Sequence, residues 1–304
     1  MRKVKIDVPA STTNIGCGFD CLGLALSLYN TVEVELIEEE SIFIEVKGEG
    51  EKSIPTTRDN IIIPALKMVF DRVKKKLKGI RIREINRIPL ERGLGSSAAT
   101  RIAGIVAANY LLDANLSARD ILKMATLLEG HPDNAAASLL GGLVAVTINE
   151  REPAWVKLSV PETLKVVAVI PRIKVPTKKA REILPSKVSL SDAVFNLSRL
   201  AILLPSLTAG IWENLSFATQ DKLHQPYRSS LIPQMNRVLE AALAAGAKGA
   251  FLSGAGSGIA AFVSENKAGD IGKAMQDAFL EKGIESEVFI LSVDKKGCKI
   301  NEER

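Results

Sequence analysis

Aromatic side chains make up only 5% of the 304 residues, and the chain has just three cysteines and two histidines. Scarce aromatics leave little stacking surface for bases, and the basic residues are scattered apart from RVKKKLK at 72–78. That run follows an apolar stretch and reads as a solvated helix end, so no nucleic-acid partner is expected. Cys17, Cys21 and Cys298 are odd in number and form no recognised zinc spacing with His131 and His224. Free thiols in a reducing, cytoplasmic setting are expected, without redox or zinc chemistry. No apolar run approaches the roughly 20 residues of a membrane helix, so no membrane association is expected. The opening MRKVKIDVPA alternates like a strand and lacks the apolar core of a secretory signal. One further absence bears on function: the phosphate-binding pattern GxxxxGK[ST] occurs nowhere.

The remaining composition is ordinary for a globular protein, 46% hydrophobic and 25% charged, with a net charge of +5 that suits small anionic ligands. The length allows one large or two medium domains. Alternation predicts strands at 3–8, 31–37, 42–46 and 80–85, and helical spacing predicts a helix over 60–77. Residues 97–112 read as a small-residue helix, and Ser117 as the N-cap of the next, which ends near Glu129. HPDNAAASLLGG gives a short helix and a turn before a strand at 143–148. The composition turns polar at 149–153, the expected boundary between residues 1–152 and residues 153–304. Beyond it the pattern predicts a strand at 164–171 and helices near 177–184, 190–204, 206–221 and 233–245. Two strands around a glycine loop, a helix at 267–282 and a last strand complete the chain. Antiparallel-type strand runs mixed with helices indicate an α+β fold in two parts.

Chemistry concentrates in a few stretches. PLERGLGSSAA, at 89–99, places two glycines and two serines at the mouth of the small-residue helix. Glycines let main-chain N–H groups close around phosphate oxygens, and a helix N-terminus adds positive potential. Ser96 and Ser97 add hydroxyls, one of which could coordinate Mg2+. Gly93, Gly95 and Ala98 also fit the dinucleotide pattern GxGxxA. That pattern needs an apolar strand running into its first glycine, whereas Pro89, Glu91 and Arg92 intervene, and the nearest downstream acid, Asp113, ends a helix. A glycine turn with a serine cap and no ligand is the plain structural alternative. PASTTNIGCGFDCLGLAL, at 9–26, sets Ser11, Thr12, Thr13 and Asn14 after a strand and embeds Asp20 among glycines and apolar residues. Such a carboxylate either caps a turn or faces a cationic ligand group, and spacing does not choose. In LEGHPDNAAASLLGG, Glu129, His131, Asp133 and Asn134 crowd together, more than a helix cap explains. Glu129 could complete a Mg2+ site with Ser97, since magnesium on nucleotides takes few protein oxygens. FLSGAGSGIAAF, at 251–262, has glycines at 254, 256 and 258, more than a tight hairpin requires.

Together these segments resemble the GHMP kinase superfamily, the galactokinase, homoserine, mevalonate and phosphomevalonate kinases, and its homoserine kinase branch in particular. The three motifs of that family are similar, in order, to PASTTNIGCGFDCLGLAL, PLERGLGSSAA and LSGAGSGIAAF. Asn14, the GFD at 18–20 and the following LGLAL carry the likeness to the branch. So do EGHPDNAAASLLGG, LHQPYRSSLIP at 223–233, and PTKKAREILP with Thr177, Ala180 and Arg181 in a TxxAR element. The resemblance spans 8–262. It implies an α+β GHMP kinase fold: an N-terminal domain like a ribosomal-protein fold with a left-handed βαβ unit, and a C-terminal ferredoxin-like sandwich. The active site would lie in the cleft between them, and the protein would be a homodimer.

The same resemblance implies ATP as phosphoryl donor, held by Pro89, Leu90, Glu91, Arg92, Gly93, Leu94, Gly95, Ser96, Ser97, Ala98 and Ala99. Mg2+ would sit on Ser97 and Glu129, and an apolar adenine pocket is expected around 60–63. It implies L-homoserine as acceptor, phosphorylated on its hydroxyl to O-phospho-L-homoserine in threonine biosynthesis. Asn14, Asp20, His131, Asp133, Asn134, Thr177, Arg181, Arg228 and Gly254 would form the acceptor pocket. Homoserine is a zwitterion bearing a primary alcohol. The planar guanidinium groups of Arg181 and Arg228 suit its carboxylate, while Asp20 and Asp133 would meet the ammonium or orient the hydroxyl. A mevalonate- or sugar-type kinase of the same superfamily and a non-catalytic ligand-binding member are the alternatives, and a sugar lacks both zwitterion charges.

Overall fold

A computed structural model describes residues 2–264 and 266–301. In β1 (Lys3–Asn14), Val4, Ile6 and Val8 turn into the core by simple alternation, and from Pro9 onward every residue is buried. β2 (Gly18–Ile37) runs antiparallel to β1 along its whole length, with breaks of register after Pro9 and after Thr13. It begins well before the expected strand at 31–37. The small and polar residues of 9–26, outside the expected strands, lie largely in strand because their polar groups find partners in other segments rather than in water. β3 (Ile42–Gly48), α1 (Ile62–Arg72) and β4 (Gly79–Asn86) follow, with β4 parallel to β3 and antiparallel to β2. Helix α1 stops short of 77, where Lys74 takes left-handed backbone with φ 56°.

α2 (Ser96–Leu112) is packed by α1, by β1 and by the next two helices, α3 (Ala118–Glu129) and α4 (Asp133–Leu140). Being enclosed on most sides, it needs small residues rather than one apolar stripe. Gly104 lets α1 come close, since a Cβ there would lie 3.0 Å from that of Ala65. The hairpin β5 (Leu143–Asn149) and β6 (Glu152–Leu158) joins the sheet through β5, which pairs with β2. β2 thus serves two strands on one edge, β5 at Leu22 to Leu24 and β4 at Thr31 to Ile37. The polar stretch at 149–153 is the tip of this hairpin, where Glu150 and Arg151 both have positive φ. The chain changes sheets only after Leu158.

The second sheet contains β7 (Lys165–Pro171). Five helices follow it: α5 (Thr177–Glu182), α6 (Leu190–Ala209), α7 (Leu215–Ala218), α8 (Gln225–Arg228) and α9 (Met235–Ala244). β8 (Gly249–Leu252), β9 (Ile259–Val263), α10 (Ala268–Leu280) and β10 (Ser286–Ser292) complete it in the antiparallel order β10-β7-β9-β8, with α9 and α10 contacting its strands. β11 (Lys299–Asn301) then returns to the first sheet beside β1. Helix α6 runs straight through Pro205, where a break was expected. Proline strands the carbonyl of Ala201, but both residues are exposed, so water takes that acceptor while buried Leu203 and Leu207 hold the helix to the core. The three cysteines are free, and burial pushes the Cys17 thiol up to about 12 and the Cys21 thiol up to about 11, which keeps both inert.

Candidate active site

The glycine bend before α2 is tied back by its carbonyls. Leu94 O accepts from Ser11 N at 3.1 Å, Arg92 O from Gly258 N at 3.1 Å, and Glu91 O from Val175 N at 3.1 Å. Gly93 O accepts from the Ser253 hydroxyl at 2.6 Å. Acceptors thus face the protein, and the N–H groups of Gly93, Leu94 and Gly95 meet no acceptor among the described residues. Helix α2 starts at left-handed Gly95 (φ 72°), with no side-chain cap and no acid in its first turn. By contrast, a Ser117–Asp120 capping box closes α3. An uncapped helix end with a ring of free donors receives anions.

At the opposite end of the cleft, β1 closes in a run of positive φ at Asn14, Ile15 and Gly16. Asn14 Oδ1 accepts from Asp20 N at 3.0 Å, and its Nδ2 donates to Gly254 O at 2.8 Å, fastening the first motif to the last. The Arg181 fork grips Asp20 through two bonds, at 2.9 and 2.7 Å. Arg228 differs. It is 1% exposed, donates from Nε to Ala180 O (3.1 Å) and from Nη1 to Gly254 O (3.1 Å), and lies 5.2 Å over the Phe19 ring. No carboxylate of the described residues lies within ion-pair distance of it. Burial, with neighbouring Arg181, lowers its pKa to about 10, so it stays cationic at neutral pH. An unpaired buried cation is costly unless a ligand compensates it. Beneath it His224 stacks on Phe19 and accepts from Arg228 through Nδ1 while Nε2 donates to Gly16 O at 2.9 Å. Burial pulls the His224 pKa down to about 4 and keeps the ring neutral.

Between the two ends, Asp133 Oδ1 lies 2.7 Å from His131 Nδ1 and accepts from Asn134 N at 2.8 Å. Asn134 Nδ2 in turn donates to Thr13 Oγ1 at 3.2 Å. Burial alone would raise the Asp133 carboxyl, but the hydrogen bond and charge of His131 outweigh it and hold it below the usual range. Burial likewise depresses His131, and the bond to Asp133 more than offsets it, so its pKa is raised. The raised histidine contributes stability in full below its unfolded value near 6.5 and loses it as pH climbs through the folded value. The depressed aspartate contributes above its unfolded value near 3.8 and loses it as pH falls through the folded one. The Tm difference between wild type and His131→Gln is therefore expected to be largest between about pH 4 and 6.5, shrinking as pH rises through the raised folded value of His131. Thermal melts across that range check this; a difference that grows with pH contradicts the ion pair.

Beside the bend, the Ser97 hydroxyl donates to Glu129 Oε1 at 2.8 Å, and Arg101 donates to the same oxygen. Oε2 has no hydrogen bond among the described residues. A hydroxyl and a carboxylate this close at a phosphate-type bend fit a magnesium ion that takes its other ligands from phosphate and water.

One cleft collects almost every expected site residue. Pro89, Glu91, Arg92, Gly93, Leu94, Gly95, Ser96, Ser97, Ala98 and Glu129 line its bend end. Asn14, Asp20, His131, Asp133, Asn134, Thr177, Arg181, Arg228 and Gly254 line the rest. Two expected residues lie elsewhere. Ala99, the last residue of the serine-alanine run, is wholly buried in the core because it lies on the inward face of the helix. Leu90 borders an adjoining apolar hollow with Ile54, Pro55 and Ile61. Thr13, Ala255 and Gly256 line the cleft without having been singled out for it, and Phe19 and His224 support Arg228. The four-residue spacing of His224 and Arg228, one helical turn, was the signal for the last pair.

The family model for the GHMP kinases N terminal domain matches residues 60–142, and that for the GHMP kinases C terminal matches 203–281. The chain is 46% identical to a homoserine kinase of Caldicellulosiruptor bescii, covering 86% of this chain and 85% of that one. It is 38% identical to the homoserine kinase of Persephonella marina over 99% of both chains. The crystal structure of homoserine kinase from Cytophaga hutchinsonii superposes with a TM-score of 0.90 at 32% identity, covering 99% of this chain and 98% of that one. The crystal structure of L. major mevalonate kinase shares the fold at a TM-score of 0.71 and 16% identity, covering 98% of this chain and 97% of that one. With both family models matched in order and these relatives aligned along nearly all of its length, this chain belongs to the GHMP kinase family.

Proposed function

We propose that the chain is a homoserine kinase, transferring the γ-phosphoryl group of ATP to the hydroxyl of L-homoserine. The observation that carries this reading is a single cleft with two anion-receiving ends of different kind. The uncapped α2 terminus suits a polyphosphate, and buried, unpaired Arg228 suits a small carboxylate. A zwitterionic amino alcohol satisfies the second end with its carboxylate, and its ammonium meets the acidic groups of Asp20 and Asp133. A neutral sugar would leave Arg228 uncompensated. The apolar hollow at Ile54, Pro55, Ile61 and Leu90 adjoins Ser96 and Ser97, which suits the adenine ring.

Transfer proceeds through a loose, largely dissociative transition state, so positioning and neutralisation of charge supply most of the acceleration. The donors of residues 93–98 would gather charge on the phosphates, and Arg228 would anchor the acceptor. Neither acidic side chain is free to act as a strong base: Asp20 is held in the Arg181 fork, and Asp133 by His131 and Asn134. Both are assigned to orienting the acceptor. Ser97 and Glu129 would hold Mg2+, which when bound neutralises phosphate charge. Threonine biosynthesis, a cytoplasmic location and a homodimeric state belong to the same reading, without nucleic-acid or membrane partners.

A coupled assay with ATP and Mg2+ over homoserine, mevalonate, galactose and shikimate tests it. Homoserine is expected to lead by ~10² or more in kcat/KM, because rivals leave buried polar groups unpaired. Any other acceptor in first place rejects the assignment.

A further inference from the structure

The cleft and the apolar hollow beside it hold few cations for a ligand as charged as a nucleoside triphosphate. Among the described residues, the lysine and arginine side chains lining the two are Arg92, Lys174, Arg181 and Arg228. Arg181 is engaged by Asp20, and Arg228 by Ala180 O, Gly254 O and the His224 ring at the acceptor end. Arg92 pairs with Glu49 at 3.9 Å. Arg101, close by on α2, is held by Glu129. Lys174 alone of the four has neither a hydrogen bond nor an ion pair among the described residues. Acids stand at the same end: Glu91 lines both cleft and hollow, and Glu129 lies beside Ser97. A polyphosphate entering there gains from every free cation within reach.

The backbone around Lys174 is pinned on both sides. Ile173 O accepts from the Ser257 hydroxyl of the last glycine motif, and Val175 N donates to Glu91 O of the bend at 3.1 Å. Val175 is buried in the core of the second sheet and Ile173 packs against it. Lys174, between them, is left on the outer side, where it borders the hollow together with Ser96 and Ser97. Its side chain is exposed and unengaged, on a backbone tied to the bend itself.

The geometry points to Lys174 as a phosphate-binding residue, its ammonium group pairing with the phosphate chain of bound ATP. A P-loop carries its lysine within the loop, whereas ERGLGSS has none, and the second sheet's connection to α5 brings one from outside. A compact charge on a flexible stem suits this task, since it needs no fixed fork geometry to meet phosphate. The same stretch of chain runs on to Thr177 and Arg181, so it reaches both substrates. The inference rests on the nucleotide half of the proposed function and is independent of the acceptor.

Calorimetric titration in Mg2+ with a non-hydrolysable ATP analogue, and in parallel with adenosine, tests it. Lys174→Met is expected to weaken the analogue by ~10 to 10², the size of one lost charge-assisted bond, with adenosine changed less than about twofold. Circular dichroism is expected to stay unchanged, because the side chain is exposed. Lys174→Arg keeps the charge and is expected to bind the analogue within about fivefold of wild type. Lys178→Met, exposed on the same segment but lining neither cleft nor hollow, is expected to match wild type. Equal losses for analogue and adenosine overturn the proposal in favour of a lysine that shapes the base pocket. A comparable loss in Lys178→Met overturns it in favour of general surface charge, and no recovery in Lys174→Arg also overturns it. Wild type and Lys174→Met binding the analogue equally well overturns this inference alone, whereas a wild type that binds neither compound takes the kinase reading with it.

Discussion

Arg228→Met is expected to raise the KM for homoserine by ~10² to 10³, with the KM for ATP changed less than about twofold. Truncating one member of a buried charge pair costs about 2–5 kcal/mol, and each 1.4 kcal/mol is about tenfold in affinity. The acceptor's carboxylate would enter the cleft and find the neutral His224 ring and the Gly254 carbonyl where the cation had been, with Arg181 engaged by Asp20. The loss should appear at the acceptor end alone, because ATP is read by the bend at 93–98. Stability gives an independent check. Arg228 is buried with no acidic partner, so methionine removes a desolvated charge along with the bonds to Ala180 O and Gly254 O. Those effects oppose one another, and Tm is expected to move little. Steady-state kinetics with each substrate varied, alongside thermal melts, decide the matter. An unchanged homoserine KM would make Arg228 a purely structural arginine.

Gly93→Ala is expected to weaken nucleotide binding by ~10² or more and to lower Tm clearly. Gly93 has φ 79°, where a side chain costs about 1–2 kcal/mol by itself. Worse, an added Cβ would sit 2.0 Å from the main-chain oxygen of Ser253, so the bend or the last glycine motif must shift. That shift also breaks the Ser253 bond to Gly93 O and with it the outward set of the carbonyls. Gly130→Ala separates strain from collision. It has φ 82° but no atom within 4 Å of the added Cβ, so only the ~1 kcal/mol of backbone strain is expected. Calorimetric titration with a non-hydrolysable ATP analogue distinguishes the two. Equal nucleotide affinity in Gly93→Ala and wild type would show that the bend does not grip phosphate.

The glycine bend was legible because its chemistry is local. Gly93 and Gly95 sit where the backbone takes positive φ, and Ser96 and Ser97 open the helix that the small residues foretold. Asp20 was ambiguous for an equally definite reason. Spacing showed a carboxylate among glycines, and only the folded chain brings Arg181, far along the sequence, to grip it. The strand at Gly18–Ile37 was half hidden, because its glycines and polar neighbours lack the alternation that marks a half-buried strand. Pro205 misled in the opposite sense, since a local rule for helix breaking was overridden by packing at Leu203 and Leu207.

By itself the sequence determined the α+β class, the three motif segments and nearly all the residues that line the cleft. The class and the glycine and carboxylate segments follow from short-range chemistry, a dihedral, a cap or a period of side-chain burial, whereas Thr177, Arg181 and Arg228 were reached through the likeness of their motifs to a family. Tertiary structure alone decided that β11 returns to the first sheet and that Ser253 and Gly258 hold back the carbonyls of the bend. It alone left Arg228 as a buried cation awaiting a partner. Those outcomes depend on which distant groups meet and which remain unpaired, and no spacing along a chain records that.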